Sequence, residues 1–208
     1  MSLYTDNRAS MRSGDLILCW GKRGVQTAGE ILSAAIEVLT ARAGKLGPSH
    51  ALLVRQPYFP ATGAEVLGIE CTLTGACNGV RSIYLTDLIT EYEPGSIIRW
   101  YPVSADSRRD MNMDAFYAAC ASLDGVRYSV AALLWLLLPS TFGEQVAPNP
   151  DVFKAGVCSM SAAYILAESV RTCKGLRYQD MTPAMLADLA DKGRLGGPIF
   201  DAGVDIFG

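Results

Sequence analysis

Apolar positions fall into two regimes along this chain. In the first half they come as short runs bounded by glycine and proline, and in the second half they recur at helical spacing. Arg12-Ser13-Gly14-Asp15 reads as a turn feeding a buried strand at Leu16-Ile17-Leu18-Cys19-Trp20. Residues 26–43 carry Ile31, Ala35, Val38 and Leu39 on one helical face and stop near Gly44. A second strand is predicted over 49–54, between Pro48 and Pro57, a third over 65–72 and a fourth over 79–84, with Gly75 and Asn78-Gly79 supplying the turn between the last two. Thr86 and Asp87 are placed to cap a short helix ending at Tyr92, and 96–103 makes a fifth strand. From Ser107 onward helices are predicted over 108–123, 129–138, 158–171 and 183–192, the last opening with Thr182-Pro183. Strands followed by helices predict an α+β fold, an antiparallel meander sheet packed against helices, with residues 1–208 as a single domain.

Composition narrows the function classes. Hydrophobic residues are 50% and charged residues 19% of the 208, enough for a core without a disulfide scaffold. A net charge of -3 and a pI of 5.2 leave no basic stripe to neutralise phosphates, which argues against nucleic acid as a partner. The longest apolar run, 130–138, is shorter than the ~20 residues of a spanning helix, so no integral membrane segment is expected. The polar start MSLYTDNRASMRSGD lacks the apolar stretch of a secretory signal. A cytoplasmic location is expected, with release by another route still open. Six cysteines include no C-x-x-C pair, and zinc-ligand spacing is absent, so neither metal nor other cofactor is expected.

With one histidine in the chain, any Cys-His or Ser-His chemistry must use His50, in Gly47-Pro48-Ser49-His50 at the start of the second strand. A lone histidine is more often a surface or satisfied core residue, so its neighbours must carry the case. Gly156-Val157-Cys158-Ser159 delivers a cysteine to the first turn of a helix, where unpaired N–H groups and the helix dipole favour a thiolate. Cys158 is therefore a candidate nucleophile, against the ordinary reading of a small packed residue. Glu70 lies twenty positions beyond His50, inside the apolar Leu67-Gly68-Ile69-Glu70-Cys71, where a charge needs a partner and an imidazole is one. The alternative is an edge carboxylate in solvent. Gly21-Lys22-Arg23-Gly24 lacks the rest of a phosphate loop and reads as a basic turn with little claim to anion contact, and Asp15 reads as structural, the alternative being a carboxylate that faces the cleft.

The ordered set Gly14-Asp15-Leu16, Ser49-His50-Ala51, Ile69-Glu70, Val80, Tyr128 and Val157-Cys158-Ser159 resembles the permuted NlpC/P60 proteins, the YiiX/YebB-like group of papain-like enzymes. The resemblance runs over residues 12–190 and takes in Met181-Thr182-Pro183 with Leu186. It implies a circularly permuted papain-like fold and a cysteine peptidase or amidase with Cys158 as nucleophile, His50 as general base and acid, and Glu70 orienting His50. Tyr128 is then a hydrogen-bonding group near the oxyanion, or else a core aromatic. Family members often carry an acid shortly after the cysteine, where this chain has Ser159-Met160-Ser161. The substrate expected is a small peptide, amide or acyl compound, cell-wall-type peptides first. Two alternatives stand beside it: an acyltransferase or lipid hydrolase whose 130–138 segment lines an acyl pocket, and a non-catalytic binding module that retains the fold.

Overall fold

The computed structural model describes residues 3–21, 47–74, 77–129, 155–193 and 198–207. The predicted helices over 26–43 and 129–138, the Lys22-Arg23 turn and Gly75 lie outside them, apart from Ser129. Strands β1 (Leu16–Trp20), β2 (His50–Gln56), β3 (Leu67–Thr74) and β4 (Cys77–Tyr84) pair antiparallel in sequence order. Strand β5 (Ile97–Tyr101) breaks the meander, because it returns to the other side of β1 rather than following β4. Parallel β6 (Arg127–Tyr128) and β7 (Ala155–Gly156) form a separate two-stranded ribbon, and β8 (Val204–Asp205) adds to β5. The sheet order is therefore β4-β3-β2-β1-β5-β8.

Helices pack on both faces. Short α1 (Leu3–Asn7) and α2 (Leu85–Glu91) contribute Tyr4, Leu85 and Leu88 to one core with Ile17, Cys19, Leu52, Val54 and Ile83. Helices α4 (Met113–Ser122), α5 (Cys158–Ser169) and α6 (Pro183–Lys192), after the short α3 (Ala105–Arg109), enclose the other core with Leu16, Leu18, Ala51, Leu53 and Ile69. This two-sided burial explains why β1 and the first half of β2 read as continuous apolar runs without alternation. It leaves His50, at the end of a central strand, surrounded by scaffold.

Two local expectations are corrected. Asn78 and Gly79 are not a turn; they are inside β4, opposite Leu73 and Thr72. Gly79 has φ 141°, and a Cβ there would stand 2.2 Å from the Val126 carbonyl oxygen, to which Val80 N–H donates at 2.9 Å. The glycine serves close approach of the chain leading into β6. The helix expected over 108–123 is two helices, because Asn112 is extended and its side chain accepts from Ala115 N–H as an N-cap. Helix α6 keeps its predicted bounds, with Thr182 Oγ1 accepting from Met185 N–H at 3.2 Å.

Candidate active site

Four elements converge on the start of α5. Ser49 fixes the approach to β2, its N–H donating to Cys19 O at 2.9 Å and its hydroxyl to the carbonyls of Cys19 and Gly21. His50 then opens the strand opposite Cys19 and is 8% exposed. Its Nε2 is 2.5 Å from Glu70 Oε2, an imidazole–carboxylate contact across twenty residues of chain. Glu70, in the middle of β3 and 1% exposed, engages Nε2 and so leaves Nδ1 for the thiol.

That thiol belongs to Cys158, first residue of α5 and 4% exposed. Val157 precedes it in extended conformation and offers no side-chain cap, so the helix-start N–H groups are not satisfied by a neighbouring hydroxyl or carboxylate at that position. Ser159 is turned into the scaffold, its hydroxyl donating to Met181 O at 2.6 Å, and Met160 and Ser161 are buried as well. Burial alone pushes the Cys158 thiol up. The charge of His50, a hydrogen bond with its ring, and the backbone N–H groups of Ala51 and Ser159 outweigh burial, and the thiol ionises below its ordinary value. Cys71, next to Glu70 on β3, is pushed up to about 12 by burial, then by the neighbouring Cys158.

Tyr128 ends β6 and is paired in register with Gly156, two positions before the nucleophile candidate. Burial raises its hydroxyl's pKa, and the nearby thiols of Cys158 and Cys71 raise it further, so it keeps its proton and stays a donor. All four residues singled out in the sequence are thus brought to one place: His50, Glu70 and Cys158 in a hydrogen-bonded series, Tyr128 beside them. Asp15 is elsewhere in function. Its carboxylate accepts from Arg12 N–H, Trp100 Nε1 and Val103 N–H at 2.8–2.9 Å and pairs with Arg108, tying β1 to the strand and loop beyond it.

Sequence reasoning missed the other side of Glu70. Arg81, its cross-strand partner on β4, donates from Nε to Glu70 Oε1 at 2.7 Å, and its Nη2 reaches both oxygens of Glu91 at 3.1 Å. The signal was present: with 65–72 and 79–84 paired as a hairpin, a buried acid faces a strand holding one arginine. Among the described residues no three of His, Cys, Asp and Glu stand together as metal ligands would, and no helix is long and apolar enough to cross a membrane.

No protein-family profile and no curated protein sequence matches this chain. A comparison with solved structures finds a likeness to the crystal structure of the metalloprotein YiiX from Escherichia coli O157:H7, described as DUF1105, with 14% identity and a TM-score of 0.43 over 94% of this chain and 89% of that one.

Proposed function

We propose that this protein is a papain-like cysteine hydrolase, a peptidase or amidase of permuted NlpC/P60 type, that works through a thioester on Cys158. The observation that carries the reading is the series from Cys158 to His50 to Glu70, held on a helix start and two neighbouring strands in a buried setting. A thiol that ionises below its ordinary value, beside an imidazole whose far nitrogen is held by a carboxylate, is the arrangement nucleophilic acyl transfer requires.

The steps balance with these groups and water alone. Cys158 thiolate adds to the substrate carbonyl carbon, and the oxyanion is met by the helix-start N–H of Cys158 and the protonated Tyr128 hydroxyl. The His50 imidazolium gives its Nδ1 proton to the leaving nitrogen, the C–N bond breaks, and a thioester remains. Water then adds to the thioester as Nδ1 takes its proton. The C–S bond breaks, the carboxylic acid leaves, and the thiolate–imidazolium pair is restored. Small cell-wall-type peptides and related amides are the substrates favoured by the resemblance, in a reducing compartment such as the cytoplasm, where such a thiol stays free.

The test is intact-mass analysis of wild type and His50→Ala after incubation with muropeptides, acyl-amino-acid esters and phospholipids. An acyl adduct on Cys158 from peptides or amides, absent in His50→Ala, is expected. An adduct from phospholipid alone replaces the peptidase with a lipid acyltransferase. No adduct and no turnover from any class leaves a binding module.

A further inference from the structure

We propose that Arg81 is a positioning residue of this site: its guanidinium fixes one oxygen of the Glu70 carboxylate so that the other is aimed at His50 Nε2. The inference rests on the cysteine-hydrolase reading and adds to it a residue outside the Cys158-His50-Glu70-Tyr128 set. The geometry is a four-member series. Glu91, the last residue of α2, takes two hydrogen bonds from Arg81 Nη2; Arg81 Nε binds Glu70 Oε1 at 2.7 Å; Glu70 Oε2 meets His50 at 2.5 Å. A carboxylate rotates about its last bond unless both oxygens are held, and Glu70 is held at both. Arg81 is also in strand register with Glu70, so the sheet ladder sets the spacing.

Electrostatics give the role a readout. Burial disfavours the Arg81 cation, but Glu70 and Glu91 more than offset this, and it stays charged. It lies one carboxylate away from the reacting pair. Among the described residues, the charged and titratable groups around that pair are Glu70, Cys71 and Cys77 on β3 and β4, Arg81 on β4, Glu91 on α2 and Tyr128 on β6. Arg81 is the fixed cation named among them. A nearby positive charge lowers every pKa it faces, so its removal shifts both the acid limb, where the Cys158 pair forms, and the alkaline limb, where His50 loses its proton, to higher pH.

The experiment is the pH dependence of Cys158 alkylation by iodoacetamide, followed by mass mapping, in wild type, Arg81→Gln, Arg81→Lys and Glu70→Gln, each checked for folding by circular dichroism. Arg81→Gln is expected to move both limbs up by on the order of half a unit to one unit, less than the one to three units a cation in direct contact imposes. Arg81→Lys, which keeps the charge without the planar fork, is expected to restore the limbs but not the full plateau rate. Superimposable profiles for wild type and Arg81→Gln overturn the proposal and leave the hydrolase reading standing. A wild-type Cys158 with no reactivity below the ordinary thiol range overturns that reading itself. Where Arg81→Gln does not fold, Glu91→Gln at a half-buried helix end carries the test: with the competing carboxylate gone, the limbs move down, and unmoved limbs overturn the proposal.

Discussion

Two carboxylates are buried in the same sheet, each beside an arginine, and they are used differently. Asp15, 0% exposed at the head of β1, has its oxygens taken by two backbone N–H groups, an indole and the Arg108 guanidinium. Those donors have fixed protonation, and the acid joins segments. Glu70, 1% exposed in β3, divides its oxygens between a guanidinium of fixed charge and an imidazole that can gain or lose a proton at its other nitrogen. A buried acid whose partners are all inert is scaffold, and one with a titratable partner couples the fold to proton transfer.

The comparison extends to the thiols, where the largest effect is expected. Cys158 ionises below its ordinary value because His50 and N–H donors outweigh burial, while burial pushes Cys71 up to about 12 and Cys120 up to about 11. The sign follows directly: lowering the pH through neutrality removes thiolate from ordinary cysteines first and from Cys158 last. Brief alkylation at pH 7 should therefore label Cys158 faster than Cys71 by on the order of 10³-fold or more and faster than Cys120 by on the order of 10²-fold or more, the ratios of thiolate fractions when Cys71 and Cys120 stand about three and about two units above an ordinary thiol and Cys158 stands below it. Mass mapping of the six cysteines checks this, and labelling of Cys71 or Cys120 before Cys158 removes the distinction between a catalytic thiol and packed ones.

Exchanging each acid for its amide separates the two carboxylates. Glu70→Gln breaks a buried pair with Arg81 and should cost on the order of 3 kcal/mol of stability, and the molecules still folded should lose on the order of 10²–10⁴-fold in turnover, because an amide fills the space but supports an imidazolium poorly. That loss should remain smaller than for Cys158→Ala. Asp15→Asn should lose stability without losing reactivity. It should cost about 3 kcal/mol of stability, the low end for a broken buried pair because Arg108 keeps part of its guanidinium in water, while the molecules still folded alkylate at Cys158 at the normal rate. Urea unfolding combined with alkylation kinetics reads both, and equal loss of stability and reactivity in the two variants would erase the contrast.

Much of this was legible from residue types because local chemistry decided it. Continuous apolar runs at 16–20 and 51–54 required strands covered on both faces, and Thr182-Pro183 set the start of α6. A single histidine confined any imidazole chemistry to His50, and a charge in an apolar strand pointed to Glu70, which contacts it. What escaped depended on partners distant in sequence. Nothing in 96–103 indicates that β5 returns to β1, since either free edge accepts the same hydrogen bonds. Gly79 reads as a turn until the Val126 carbonyl is brought against it. Nothing in the residues next to Arg81 points to Glu70 until the hairpin register sets the two opposite each other.

Ser159 tests where site ends and scaffold begins, because it adjoins the proposed nucleophile yet bonds away from it. Its buried hydroxyl donates to Met181 O at 2.6 Å, joining the first turn of α5 to the segment that leads into α6. Ser159→Ala removes that donor and leaves a carbonyl short of a partner, which should cost about 1–2 kcal/mol of stability. The N–H of residue 159, one of the groups that favour the Cys158 thiolate, is kept by alanine. Reactivity of the folded protein at Cys158 should therefore fall by less than about tenfold, the effect of a slightly loosened helix start rather than of a lost catalytic group. Alkylation rates measured well below the urea midpoint isolate this from unfolding. A loss as large as that of Glu70→Gln, with the midpoint unchanged, would place the Ser159–Met181 contact inside the catalytic arrangement and move the boundary with the scaffold one helical turn deeper.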